Sequence, residues 1–369
     1  MTREKDLEGF RTKIREIDDK ILSLASERMK YVRKVGEYKQ ENNLPIKDYK
    51  VEKQILETAR NKAKSLGIYG EMAESLLKEL IKYSVIEQDE LKKPFFPSTD
   101  PEHKTFGIIG GLGHMGSWLS GFFESLGHKV IVQDIKPKPE NFSFAFEEKI
   151  EAVVQDADFV VLATPLGSSK EALDKIIELK PTGVVVEMCS LKAPIENTLK
   201  EAIAKGIKIA SIHPMFGPDL EILAGRNIML CTGICDSALS EVEAIFSQTS
   251  ANLIKVDFNK HDTLMSYVLG ASHLINLIFA QLMRTSEIDV DSFSEVAGTT
   301  FKNQLSVTLP VVRENQDLYF DIQVLNEHTE SLIEHLLSAT EAFKEIIASK
   351  DREAFQRLMA KAAEYFSKL

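Results

Sequence analysis

The sequence is poor in the residues that mark several protein classes. Its 369 residues include three cysteines, an odd number too small for a disulfide framework. That excludes a disulfide-stapled secreted fold. Cys231 and Cys235 lie close in sequence, but no second His or Cys pair lies nearby. They read as small residues of a strand and the turn after it, and no metal is expected. No run of 18 apolar residues occurs, so no membrane span is expected. The N-terminus, MTREKDLEGFRTKIREIDDK, has no apolar core of the kind a secretory signal needs. The expected compartment is the reducing cytoplasm. Positive charge is scarce too: 45 Lys and Arg against 56 Asp and Glu leave a net charge of −11. Nucleic acids and anionic membranes select basic surfaces and are poor candidates as partners. A small anionic substrate remains open, because a local cluster of cations can bind one. What the chain does have is length and a 44% hydrophobic content, enough for two or three cores.

Three textures follow one another. Residues 1–92 read as helices with almost no strand signal. Residues 93–103 read as a linker, with Pro94, Pro97 and Pro101 in or beside a short polar stretch. Residues 104–257 alternate short β-branched runs (FGIIG, KVIVQD, FVVLATP, GVVVEM, IKIASI, NIMLC, NLIKVD) with helical runs. That alternation predicts a mostly parallel sheet covered by helices. Residues 258–369 are helical again. The expected class is therefore a multidomain chain: an all-α N-terminal domain, an α/β Rossmann-like domain and an all-α C-terminal domain.

The clearest local signal is Gly111-Leu112-Gly113-His114-Met115-Gly116. A lone GxGxxG is weak. Here an apolar strand precedes it, a helix follows it, and a second strand ends in Asp134, 21 residues after Gly113. Glycines let the backbone approach a pyrophosphate, and the helix start offers unpaired N–H groups and a positive dipole end. Asp134 is placed to accept from adenosine ribose hydroxyls and to repel a 2′-phosphate. This favours NAD over NADP, with Lys136 close by as a softening influence.

Open α/β sheets bind ligands beyond the C-terminal ends of their strands. Polar residues after strands are therefore the candidates for chemistry. Ser190 and Lys192 follow GVVVEMC, and His213 follows IKIASI in the run His213-Pro214-Met215-Phe216-Gly217-Pro218. An imidazole titrates in the range needed to take a proton from a hydroxyl as a hydride leaves. A satisfied structural histidine fits the position equally well.

In the first region apolar residues keep a heptad: Leu7, Ile14, Ile21 and Val35 in one series, Phe10, Ile17, Leu24, Tyr31 and Tyr38 in the other. A dimerising coiled coil is the plain reading. Arg28 breaks it, because it occupies the first series, and a guanidinium on a buried seam is costly unless paired. It points to an anion site. Lys39 lies on nearly the same face, its Cα about 16 Å away. Arg11 is about 25 Å from Arg28 along the same helix, too far within one chain but able to enter a partner's site in an antiparallel dimer. Asp48 reads as the N-cap of a second helix with Glu52 in its first turn. Ser84 and Gln88 share a face of a third helix at i,i+4.

The glycine turn, the Ser190-Leu191-Lys192 run, the HPMFGP run and the helical end together resemble the prephenate dehydrogenase family over about residues 104–330. That resemblance implies oxidation of prephenate by NAD, with loss of carbon dioxide, to 4-hydroxyphenylpyruvate. It implies His213 as acceptor for the ring hydroxyl, Ser190 as its orienting partner, Lys192 beside them, and His273 on the substrate side chain; His261 is a weaker match. The family often places its carboxylate-binding Arg where this chain has Pro310, so Arg313 and Lys302 are the substitutes. The N-terminal helices resemble the all-helical chorismate mutase family from Leu7 to Gln88. Arg11, Arg28, Lys39, Asp48, Glu52, Ser84 and Gln88 match functional positions of that family; Val51 departs where many members carry Arg, with Lys50 or Lys53 as compensation. The implied reaction is chorismate to prephenate without a cofactor, in a homodimer. The other readings are an arogenate dehydrogenase, or a β-hydroxyacid dehydrogenase in which the N-terminal helices are a non-catalytic dimerisation module. The second lacks a Gly-x-x-Gly-x-Gly-x-x-x-Lys helix in this chain.

Overall fold

The computed structural model describes residues 2–42, 44, 47–89, 103–218, 220 and 222–367. Of the linker expected at 93–103, all but His103 lies outside the described residues. The chain opens with α1 (Thr2–Glu41), α2 (Tyr49–Leu66) and α3 (Gly70–Asp89). Asp48 caps α2 as expected, accepting from the Val51 N–H at 3.1 Å. The heptad residues of α1, Leu7 through Tyr38, are 45–68% exposed in the single chain. Its buried positions are Val32 and Gly36, on the stripe that also carries Arg28 and Lys39. α1 and α2 both pack on α3.

Next come β1 (Thr105–Ile109), α4 (His114–Ser125), β2 (Lys129–Gln133), β3 (Ala145–Glu147), α5 (Ile150–Asp156), β4 (Phe159–Leu162), α6 (Leu166–Glu178), β5 (Val184–Glu187), α7 (Glu196–Ala204), β6 (Ile209–Pro214), β7 (Asn227–Thr232), α8 (Asp236–Phe246) and β8 (Asn252–Asp257). They form one sheet in the order β3-β2-β1-β4-β5-β6-β7-β8. Every pair is parallel except β6–β7. β4 and β5 are buried at every residue, as strands covered on both faces must be. Chain order reverses across β1, with β2 on one side and β4 on the other, which opens a ligand crevice at that edge of the strands.

The remainder is helical: α9 (Phe258–Met265), a π-helical turn (Ser266–Ala271), α10 (Ser272–Thr285), α11 (Val290–Val296), α12 (Thr299–Arg313), α13 (Gln316–Val324), α14 (Thr329–Ser349) and α15 (Arg352–Phe366). By length and composition the run Phe258–Thr285 is able to cross a membrane, which the sequence expectation of no span did not foresee. One such helix is weak evidence of a span. This one carries the buried polar pair His261 and Asp262, and Asn276 ties it to α12, as in a helix that packs against protein.

The chain divides into two compact units, Met1–Cys189 with Asn197–Asp257, and Ser190–Glu196 with Phe258–Leu369. The helices α1–α3 and the sheet of 104–257 are thus two layers of one unit. Tyr49 of α2 packs on Phe122 of α4 with ring centroids 5.1 Å apart. Leu56, Ile81 and Ala224 make a small apolar cluster between the helices and the sheet layer.

Candidate functional site

In the helical layer, α1 turns Arg28 onto α3. Its Nη1 donates to the Leu80 carbonyl at 2.9 Å and to Ser84 Oγ at 2.5 Å. Burial lowers the pKa of Arg28, yet a guanidinium keeps its charge in proteins. Lys39 is half-buried, and burial lowers its pKa while the Asp48 carboxylate pulls the other way. Gln88, one turn beyond Ser84, is buried, and its Oε1 has no hydrogen-bond partner among the described residues. A buried amide end left unmatched is the kind of group a ligand satisfies, and a flip lets this amide present either its oxygen or its nitrogen. Glu52 is buried on α2. Arg11 is exposed and pairs with Glu8 at 3.5 Å, so within one chain it stays out of this cluster. Lys53, one of the two lysines expected to compensate for Val51, donates instead to the Ser247 carbonyl at 3.0 Å. Its ammonium is committed to the sheet layer, which corrects that expectation.

At the glycine turn, the backbone reversal falls on Gly110, with φ +83°, one residue ahead of the expected fingerprint. A side chain at Gly110 would be strained, and its Cβ would stand 2.8 Å from the Ala163 carbonyl. Gly116 packs α4 against the turn: a Cβ there would lie 2.3 Å from the Gly110 oxygen. Gly113 is the N-cap of α4 and brings no side-chain bond, so the N–H groups at His114 and Met115 have no capping side chain. Asp134 accepts from the Leu112 N–H at 2.9 Å and from the Lys136 N–H at 3.0 Å. Each carboxylate oxygen retains a further lone pair. This cradle fits a dinucleotide: open N–H groups for the pyrophosphate, glycine where backbone crowds backbone, and a fixed carboxylate at the end of β2.

His213 lies inside β6 rather than after it. The strand continues to Pro214 and places His213 opposite Met229 of β7. It is buried. Three residues on, Phe216 stands edge-on to Trp118 of α4, with centroids 5.3 Å apart.

In the second unit, Ser190 and Lys192 lie in the turn that joins the C-terminal helices. Asp262 holds that turn, accepting from the Lys192 N–H at 2.8 Å and the Ala193 N–H at 2.7 Å. His261 Nδ1 sits 2.7 Å from Asp262 Oδ1, the oxygen that also accepts from the Lys192 N–H. Burial opposes its charge, but the bonds from His261, Ala193 and Lys192 leave the Asp262 pKa below its usual value. Asn326 donates to the Asp262 carbonyl at 3.0 Å. His261 therefore reads as structural. His273 of α10 lies 4.2 Å, centroid to centroid, from Tyr319 of α13. Its Nδ1 is buried without a partner among the described residues, and burial lowers its pKa. Just before it, the π-turn frees backbone groups, and Gln323 donates to the Gly270 carbonyl at 3.0 Å. Lys302 and Arg313 are exposed. At 100° per residue they share a face of α12 opposite to Gln304 and Thr308, the two residues that bond Asn276 of α10. The structure does not turn them toward the helix that carries His273.

Sequence reasoning missed Gly110, Asp262 and Tyr319. Gly110 was readable, since two adjacent glycines follow the strand. Asp262 bonds partners about seventy residues away in sequence, and no local pattern signals that. No group of three or more His, Cys, Asp or Glu side chains placed to hold a metal occurs among the described residues.

Comparison with known proteins follows the same division. Residues 10–89 match the family model of type II chorismate mutase. Residues 126–255 match the nucleotide-binding domain of prephenate dehydrogenase, and 257–361 its dimerization domain. A T-protein of Enterobacter agglomerans is 22% identical over 362 residues, 98% of this chain and 93% of that protein. The fold is shared with prephenate dehydrogenase from Aquifex aeolicus, solved with hydroxyphenyl propionate and NAD+, at a TM-score of 0.59 and 18% identity, covering 72% of this chain and 98% of that one. It is shared as well with Synechocystis arogenate dehydrogenase, at a TM-score of 0.55 and 17% identity over 72% of this chain and all of that one (100%).

Proposed function

The chain belongs to the family that joins a type II chorismate mutase to the two domains of prephenate dehydrogenase, and on that premise we propose how its residues divide two consecutive reactions of tyrosine biosynthesis. The first rearranges chorismate to prephenate. The second oxidises prephenate, with loss of carbon dioxide, to 4-hydroxyphenylpyruvate.

The mutase reading is carried by one observation: a guanidinium on the seam of α1 is bonded to Ser84 of α3, with the buried Gln88 amide one turn further on. The rearrangement is unimolecular, so the protein's task is to hold a compact conformer and to stabilise developing charge. Arg28 and Lys39 take the substrate carboxylates, with Arg11 supplied by the second subunit. Lys39 and Gln88 donate to the ether oxygen as its bond breaks. Asp48, Glu52 and Ser84 hold the rest of the ligand. Lys39 must be protonated to do this, and burial has moved its pKa down. Mutase turnover is therefore expected to fall at alkaline pH before a free lysine would titrate.

In the dehydrogenase half, NAD supplies the hydride acceptor when bound. Residues Gly111 to Gly116 would hold its pyrophosphate, and Asp134 would accept from its ribose hydroxyls. His213 takes the proton of the ring hydroxyl as the ring carbon gives up its hydride. The resemblance assigns Ser190 to orient that hydroxyl and Lys192 to bind the same substrate. The imidazole of His273, kept neutral by burial, hydrogen-bonds the substrate side chain. Lys302 and Arg313 lie on the face of α12 away from the residues that bond α10, so the cation for the carboxylates in this half is left unassigned within one chain. The molecule works as a homodimer, in keeping with the dimerization-domain match and the uncovered apolar face of α1. Its three cysteines form no disulfide, and two of them are buried, which suits the cytoplasm.

The test is to supply chorismate and NAD to the protein. NADH and carbon dioxide should appear together after a lag while prephenate builds. Prephenate that accumulates with no NADH would sink the dehydrogenase assignment. Pro310 in place of the usual Arg favours one second reading, oxidation of arogenate; kcat/KM for prephenate against arogenate decides between them.

A further inference from the structure

Glu52 is 7% exposed, and a buried carboxylate is costly unless donors reach it. Donors reach it from outside the mutase helices. Ser250 Oγ, in the turn between α8 and β8, hydrogen-bonds Glu52 Oε1. The backbone N–H of Ala224, in the loop ahead of β7, donates to the same carboxylate. Lys47, just before α2, and Lys78 of α3 supply the positive charge that faces it. Burial still outweighs these, so the carboxyl is held above the usual carboxylate range. The surroundings are built as a joint. Lys53 bonds the Ser247 carbonyl, Tyr49 rests on Phe122, and Leu56, one turn beyond Glu52, packs with Ile81 and Ala224.

Resting on the assignment of Glu52 to the mutase site, we propose that Ser250 is a positioning residue of the mutase reaction, by which the nucleotide-binding domain fixes the rotamer and the charge of a mutase carboxylate. Ser250 does not touch the substrate. It acts through Glu52, because a hydrogen bond donated to a carboxylate favours its charged form and one orientation. The mutase helices therefore carry a group whose working state is completed by a residue 198 positions away in the chain.

The test uses the full chain. Ser250→Ala is expected to lower mutase kcat/KM about tenfold at neutral pH. It is also expected to move the acidic limb of the mutase pH profile upward, since Glu52 loses a donor that held its pKa down. Ser250→Thr keeps the hydroxyl and should restore both. Dehydrogenase turnover on prephenate in the same variants reports that the chain is folded. A fall in mutase rate with an unmoved acidic limb and no rescue by Thr means a merely structural role and overturns the proposal. Glu52→Gln separates the two levels. If it leaves mutase turnover unchanged, Glu52 is not in the site and both statements fall. If it cuts turnover while Ser250→Ala leaves rate and limb as they were, only the role of Ser250 falls.

Discussion

Arg28 shows how much a single misplaced residue says. It interrupts an apolar series on α1, and its guanidinium meets Ser84 and the Leu80 carbonyl of α3. Arg28→Ala is expected to cost the mutase roughly 10²-fold or more in kcat/KM and to leave prephenate oxidation intact. His213→Asn should do the opposite, with a loss of roughly 10²–10⁴ in the dehydrogenase. Parallel assays with chorismate and prephenate check both; equal loss of the two activities in either variant would refute separate sites. Two further residues, Glu124 near the end of α4 and His128 in the turn before β2, set a pH dependence. Burial raises Glu124 to about 7, so its contribution to stability is full below its unfolded value near 4.5 and is lost as pH rises through 7. Burial, with the His103 charge, lowers His128 to about 4. Its contribution is full above 6.5 and is lost as pH falls toward 4. The two slopes oppose each other across the same window. Glu124→Gln should therefore uncover the His128 slope, with Tm rising from pH 4 to 6.5 more steeply than in the wild type. A Tm profile parallel to the wild type would refute this. The glycine fingerprint and Asp134 were legible because a phosphate cradle demands them locally. Asp262 was not, because its partners are distant in sequence.

At the scale of elements, legibility followed burial. β1, β2, β4 and β5 are buried apart from the first residue of β1 and of β2, and each carries an apolar run of three or four residues. β3 escaped notice because it is three residues long, on the sheet edge, and exposed at both ends. The antiparallel step between β6 and β7 was equally hidden, since both strands are buried on both faces and so lack the in–out alternation that often marks antiparallel pairs. The carboxylate clamp was misjudged by a helix phase: Lys302 and Arg313 share a face, but not the face that bonds α10. α4 carries the test that belongs to this scale. Gly116→Ala places a Cβ against the Gly110 carbonyl, a backbone atom with little room to yield. The KM for NAD should rise at least about tenfold as α4 is pushed off the turn, by the tight-packing role that glycine has in this motif. An unchanged KM would show that the turn does not hold the cofactor.

For the whole molecule, the sequence supports a division into three textures, and the structure joins the first two. Periodicity along a chain reports which face of a helix is apolar, but not which other element covers it. The bond from Ser250 to Glu52 and the packing of Tyr49 on Phe122 have no signature of their own. The same blindness attaches to α1. Its apolar series is legible, its exposure in a single chain is a structural fact, and Arg11 stays in solvent beside Glu8. Mutase activity per chain should accordingly fall on dilution below the dimer's dissociation constant. A specific activity independent of concentration, in a sample shown by sedimentation to be monomeric, would count against a shared site.

That uncovered face also dictates an order of events. α1 is about 60 Å of helix, and its apolar heptad residues stay exposed in the single chain. The sheet can mature in a first-order process. The mutase has to wait for a collision, so its recovery after denaturation should be second order in chain concentration.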